Sequence, residues 1–258
     1  LGQITTMSLD NQRSLKLAIA RDPQFLEVAE AVSQEMNAWA RDFFGREIIA
    51  DWRKQLDFTT KIFRARGLHL DDRHIRLDGQ SFSASITDMT LYVVNNYKAL
   101  QDDGSSIVLY LPKIQTAEEA GFWNKLLSAL ENYLGLDEGT IKVYVLVEQL
   151  EATFQLMEIR AALGLHFVGF NTGRWDYINS VSDANCWDPE FINPNIESIV
   201  MTYGYMRNYE DRVRRAVNTP DANGNFALWQ GGMEPNIPVG SKEGVANSMK
   251  KAKAGAVR

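Results

Sequence analysis

The segment Ile141-Lys-Val-Tyr-Val-Leu-Val-Glu148 narrows the possible folds more than any other stretch of the chain. Its odd positions, Ile141, Val143, Val145 and Val147, make one wholly apolar face, while Lys142, Tyr144, Leu146 and Glu148 make a mixed one. Successive side chains of a strand point to opposite faces, so the first face suits covering helices and the second a lumen or its mouth. Residues 61–66 repeat the pattern, with Phe63 and Ala65 on one face and Ile62, Arg64 and Arg66 on the other. An open doubly wound sheet would need both faces apolar. The pattern therefore favours a barrel.

Other strand candidates are 106–113, 166–171, 198–203 and 227–230, and helices fill the gaps. Thr116-Ala-Glu-Glu119 is a capping box that opens a helix, which Gly135 closes. Gln149 to Leu163 reads as an amphipathic helix ending at Gly164, and Tyr205 to Val217 and Ser241 to Ala254 as two more. Strand and helix alternating at this spacing imply a parallel sheet. Upstream, Asp22-Pro23 supplies a cap and a first-turn proline, apolar residues recur at helical spacing from Phe25, and Gly45 stops them. The expectation is an α/β fold, a TIM (β/α)8 barrel with about six of its eight strands present. It assigns 1–57 to a helical segment following an absent early barrel strand and 58–258 to the barrel portion, with no C-terminal capping domain.

Composition removes several function classes. A formal charge of −6 argues against a nucleic-acid surface, and the one dense basic stretch, Lys250-Lys251-Ala-Lys253, suits a helix C-terminus. The single cysteine, Cys186, excludes an internal disulfide framework and fits a reducing, cytoplasmic setting. No run of roughly 18 apolar residues exists to span a membrane. Neither a GxGxxG turn nor a Walker sequence occurs, so dinucleotide and nucleotide triphosphate binding lack support.

Two carboxylates carry the chemistry. Glu148 ends one apolar run, and Asp176 ends another, Phe167-Val-Gly-Phe-Asn-Thr-Gly-Arg-Trp-Asp176, one strand–helix unit later. Strand-end carboxylates facing each other across a barrel mouth are how such a fold holds a hard cation, and Mg²⁺ takes one or two carboxylates with water and substrate oxygens.

The ordered series Arg64-Ala-Arg66-Gly67-Leu-His69, Leu111-Pro112-Lys113, Val147-Glu148, Asn171-Thr-Gly-Arg-Trp-Asp176-Tyr-Ile and Gly231-Gly232-Met233 resembles malate synthase. The resemblance runs from about Arg64 to Met233 and implies a barrel that condenses acetyl-CoA with glyoxylate, using Mg²⁺, and then hydrolyses the malyl thioester. It makes Glu148 and Asp176 the Mg²⁺ ligands and Arg64 the group that stabilises the enolate oxygen. It makes the backbone of Gly173, Arg174 and Trp175 the donor to the glyoxylate carboxylate. Met233 is a candidate pocket-lining residue. The implied base is an aspartate of a capping domain, with no matching position before Arg258, so the chain reads as a fragment.

Elementary chemistry agrees with these roles. An enolate needs a fixed donor at its oxygen, which a permanently charged guanidinium can supply, and an aldehyde needs polarising, a Lewis-acid task. The residues also admit structural readings. Glu148 could pair with Arg64 or Lys113, Asp176 could cap the next segment, and Arg66 could be structural or face a CoA phosphate. Lys113 stands between a lumen ion pair and a site residue. An acyl-CoA lyase of the malyl-CoA or citrate-lyase β kind is the alternative enzyme. A catalytically silent barrel acting as a binding or assembly module is the alternative of another class.

Overall fold

The computed structural model describes residues 9–195, 198–232 and 240–256. Along the chain these form α1 (Leu9–Ile19), α2 (Pro23–Phe44), α3 (Trp52–Phe58), β1 (Ile62–Arg64), β2 (Asp71–Leu77), β3 (Gln80–Ser83), α4 (Ala84–Asp102) and β4 (Ile107–Leu111). There follow α5 (Ala117–Leu134), β5 (Ile141–Val147), α6 (Leu156–Leu163), β6 (Phe167–Thr172), α7 (Arg174–Ala184), α8 (Gly204–Val217), β7 (Leu228–Gln230) and α9 (Lys242–Ala256). Residues within 62–90 and 106–232 make one compact unit, and those within 9–61, 91–105 and 240–256 a second.

In the helical unit, α2 starts and stops where its sequence dictates. The Asp22 side chain accepts from the Gln24 N–H, Pro23 occupies the first turn, and Gly45 closes the helix at φ 68°. Its buried Asn37 is fully engaged: it accepts from the N–H groups of Ile48 and Ile49 and donates to the Ile49 carbonyl. A buried polar side chain is tolerated only when so satisfied.

The sheet unit holds five parallel strands in the order β1-β4-β5-β6-β7. On β5 the odd-numbered residues Ile141, Val143, Val145 and Val147 are wholly buried. Each contributes about 1.5–3 kcal/mol of apolar burial. The opposite face carries a second cluster of Val108, Tyr110, Tyr144 and Leu146, against which Ile62 and Val168 pack. The expected capping box of α5 forms in full, with Thr116 and Glu119 bonding reciprocally and Gly135 ending the helix at φ 69°. Near that end, buried Glu131 accepts from the Gly139 N–H at 2.9 Å and the Ile141 N–H at 2.7 Å. One carboxylate thus fixes the entry of β5 into the sheet.

Two expectations are corrected, and one element had none. Residues 198–203 form no strand, because their backbone bonds locally: Ser198 donates to Asn195, Val200 to Ser198 and Tyr203 to Val200. The run is rich in strand formers, yet those local bonds turn the backbone away from an extended strand. Five of the six candidate strands therefore join the parallel sheet. Residues 149–163 are broken by Gln155, at φ −128°, into a 3₁₀ turn over Glu151–Phe154 and the shorter α6. The antiparallel hairpin β2–β3 was not anticipated. Its two-residue turn, Asp78-Gly79, has both residues at positive φ (52° and 79°), as a type I′ turn requires.

Candidate active site

The strands of a parallel barrel present their chemistry at their C-terminal ends, and four residues of this unit meet there. After β4, Pro112 ends the ladder and Lys113 takes a left-handed conformation at φ 61°. Such a conformation costs a residue with a Cβ about 1–2 kcal/mol. Here it turns the Lys113 N–H toward Glu148, whose Oε1 it meets at 2.8 Å. The Lys113 ammonium donates to Asp176 Oδ2 at 2.7 Å and lies 3.5 Å from Glu148 Oε2. Two carboxylates, one from the end of β5 and one from the first turn of α7, thus converge on one cation.

Glu148 follows β5 directly and is buried. Burial pushes its carboxyl up to about 7, and the neighbouring Asp176 carboxylate adds to the rise, against the opposing pull of Lys113. Asp176, in the first turn of α7, is held below the usual carboxylate range by its hydrogen bond with Glu148, then by Lys113 and by the charge of Arg64. Of the two carboxyls, Glu148 is the one that holds its proton to higher pH. Arg64, at the end of β1, stands with its guanidinium 5.6 Å from the centre of the Tyr110 ring.

Gly173 makes this convergence sterically possible. A Cβ at that position would lie 2.9 Å from both the Glu148 Cβ and the Leu146 Cδ1, closer than packed carbons come. Its N–H is engaged within the chain, by the Val147 carbonyl at 3.1 Å and the Tyr209 hydroxyl at 2.8 Å. Arg174 and Trp175 are the first two residues of α7, so their N–H groups have no partner within the helix. The Arg174 guanidinium lies 5.0 Å from the centre of the half-exposed Trp175 ring. Met233 lies outside the described residues. Gly232 just before it runs close to β6, since a Cβ there would sit 2.8 Å from the Thr172 carbonyl oxygen.

Arg66 is structural. It donates twice to Asp88, through Nε at 2.8 Å and a terminal nitrogen at 2.7 Å, and once to Asp72 at 2.8 Å. That clasp, with the backbone bonds from His74 and Ile75, holds Asp72 down to about 2. The arginine ties the exit of β1 to the hairpin and to α4.

Among the described residues no three His, Cys, Asp or Glu side chains group around a metal position. Two carboxylates suffice for Mg²⁺, which completes its octahedron with water and substrate. Glu148 and Asp176 fit that ion: hard oxygen donors, one buried, already gathered around a positive charge.

Residues 60–256 match the family described as "Malate synthase, TIM barrel domain". The chain belongs to this family. It is 38% identical over 193 residues to malate synthase A of Escherichia coli (strain K12), covering 75% of this chain and 35% of that protein. It is 43% identical over 176 residues to the bifunctional glyoxylate cycle protein of Caenorhabditis elegans, covering 68% of this chain and 18% of that one. The chain thus spans about a third or less of the length of these relatives. Among solved structures, a citrate lyase from Burkholderia xenovorans LB400 aligns with a TM-score of 0.50 and 14% identity, over 80% of this chain and 53% of that one. That likeness concerns the fold alone. The fold class is the TIM barrel of the malate synthase family, unclosed among the described residues.

The central position of Lys113 was undecided in the sequence, because its left-handed backbone is invisible there. Tyr209, a mid-helix tyrosine whose hydroxyl reaches the site backbone, carried no signal at all.

Proposed function

We propose that, in the complete protein, this barrel carries out the Mg²⁺-dependent condensation of acetyl-CoA with glyoxylate to give malate and CoA. The supporting observation is the meeting of Glu148 and Asp176 at one cationic point, with the Lys113 ammonium 2.7 Å from Asp176 and 3.5 Å from Glu148. Mg²⁺ held by these carboxylates would supply Lewis-acid polarisation of the aldehyde.

The remaining work falls to the chain. Arg64, whose charge reaches Asp176, stabilises the negative oxygen of the acetyl-CoA enolate. The Arg174 and Trp175 N–H groups, at the positive end of α7, hold the glyoxylate carboxylate. Gly173 serves by close approach, because its own N–H is engaged. The acetyl proton leaves to a general base. Within this reading, residues 1–57 are a helical segment that precedes the barrel portion, 58–258.

Family relatives from Glycine max and Candida tropicalis are named glyoxysomal. We place this protein in the cytoplasm on the strength of its one exposed free thiol, Cys186, and cell fractionation tests that placement. No helix of the described residues is long and apolar enough to cross a membrane.

The deciding experiment follows free thiol release from acetyl-CoA with glyoxylate by the complete protein, with and without Mg²⁺. Mg²⁺-dependent release that Glu148→Gln abolishes is the expected result. Cleavage of malyl-CoA without thiol release would indicate the lyase instead.

A further inference from the structure

The two carboxylates are delivered by the end of β5 and the start of α7, and their spacing is only as fixed as the backbone that carries them. One buried hydroxyl contacts both carriers. Tyr209, in the middle of α8, is wholly buried, and its hydroxyl donates to the Val147 carbonyl, in the residue before Glu148. The same oxygen accepts from the Gly173 N–H at 2.8 Å, in the residue that caps α7 before Asp176. The Tyr209 ring stacks on Tyr177 of α7, with centroids 4.1 Å apart and planes 15° from parallel. Burial raises the phenol well above its ordinary range, so the hydroxyl keeps its proton and always has one bond to give.

We propose that the Tyr209 hydroxyl is a positioning group that sets the separation of Glu148 and Asp176 for a shared divalent cation. This rests on the metal reading above. A helix outside the ligand-bearing elements thereby controls how well two ligands converge, as outer partners of metal ligands generally do. The Val147 carbonyl also accepts the Gly173 N–H at 3.1 Å, so losing the phenol oxygen loosens the junction without orphaning that amide.

The test measures Mg²⁺ binding by titration calorimetry on the complete protein, for the unaltered chain and for Tyr209→Phe, Tyr177→Phe and Glu148→Gln. Tyr209→Phe keeps the ring and its stack, and should weaken Mg²⁺ by about tenfold, within the range for outer-shell groups. Tyr177→Phe loses a hydroxyl from the same stack and should bind as the unaltered protein does. Equal affinity in Tyr209→Phe and the unaltered protein, with Glu148→Gln abolishing binding, overturns the positioning role and leaves the metal reading intact. Undiminished binding by Glu148→Gln overturns the metal reading itself. Amide exchange in the unaltered protein keeps the inference testable if Tyr209→Phe does not fold. The Gly173 amide should be protected while those of Arg174 and Trp175 exchange fast, and rapid exchange at Gly173 overturns the proposal.

Discussion

Glu148 is a buried carboxyl that holds its proton to a higher pH than an exposed one would. Its folded value of about 7 stands above the ordinary 4.5, so the folded chain binds a proton that the unfolded chain has released. Its contribution to stability is therefore complete at low pH and is lost as pH rises from about 4.5 through about 7. A divalent cation needs the ionised form and must displace that proton. Calorimetry at pH 6, in buffers of different ionisation enthalpy, should show Mg²⁺ binding release close to one proton, falling toward zero well above pH 7. Binding without proton release at pH 6 would mean that Glu148 is no ligand. The two arginines of β1 and its exit separate by readout. Arg64→Lys should cut turnover of the complete protein at least about tenfold, as loss of an oxyanion donor does. Arg66→Lys, which breaks the paired bonds to Asp88, should lower the unfolding free energy by about 2 kcal/mol with a smaller effect on turnover. Greater catalytic damage in the Arg66 variant would reverse the assignment.

At the scale of elements, β5 is anchored at both ends by carboxylates with opposite duties. At its exit Glu148 accepts from the Lys113 N–H in the candidate site, and at its entry Glu131 satisfies the N–H groups of Gly139 and Ile141. Conserving stability at the entry and chemistry at the exit is the division of labour a TIM barrel permits. Glu131→Ala should leave two buried donors unpaired and lower stability by about 3 kcal/mol, read as a shifted urea midpoint. Mg²⁺ affinity of the folded variant should not change. A weakened metal site would show that the two ends of β5 are coupled.

Over the whole sheet unit, β1 and β7 are strand edges with one neighbour each among the described residues. Unpaired edges template association. The 258 residues produced alone should self-associate in size-exclusion chromatography with light scattering. A monodisperse monomer would mean that the edges of β1 and β7 are covered within the chain.

The elements with local causes were legible in the sequence. Asp22-Pro23 and Gly45 bound α2, the capping box and Gly135 bound α5, and alternation on 141–147 marked a strand with two different faces. The place of Glu148 at a strand end was legible for the same reason, whereas Asp176, expected at a strand end, lies beyond β6 in the first turn of α7. Even the missed hairpin had its signal, Asp78-Gly79, masked by mostly exposed flanking residues without an apolar alternation. Other features depended on partners far along the chain. Residues 198–203 have strand composition but bond locally, and composition cannot say whether a ladder is on offer. Arg64 and Arg66 share a strand face in sequence, and only the folded chain brings Asp72 and Asp88 to one and Asp176 within reach of the other. Lys113 and Tyr209 act through a left-handed turn and a hydroxyl that meets Val147 and Gly173, 62 and 36 residues away. Propensity and periodicity are local sums, whereas a site is a set of distances between distant residues, and packing alone sets those.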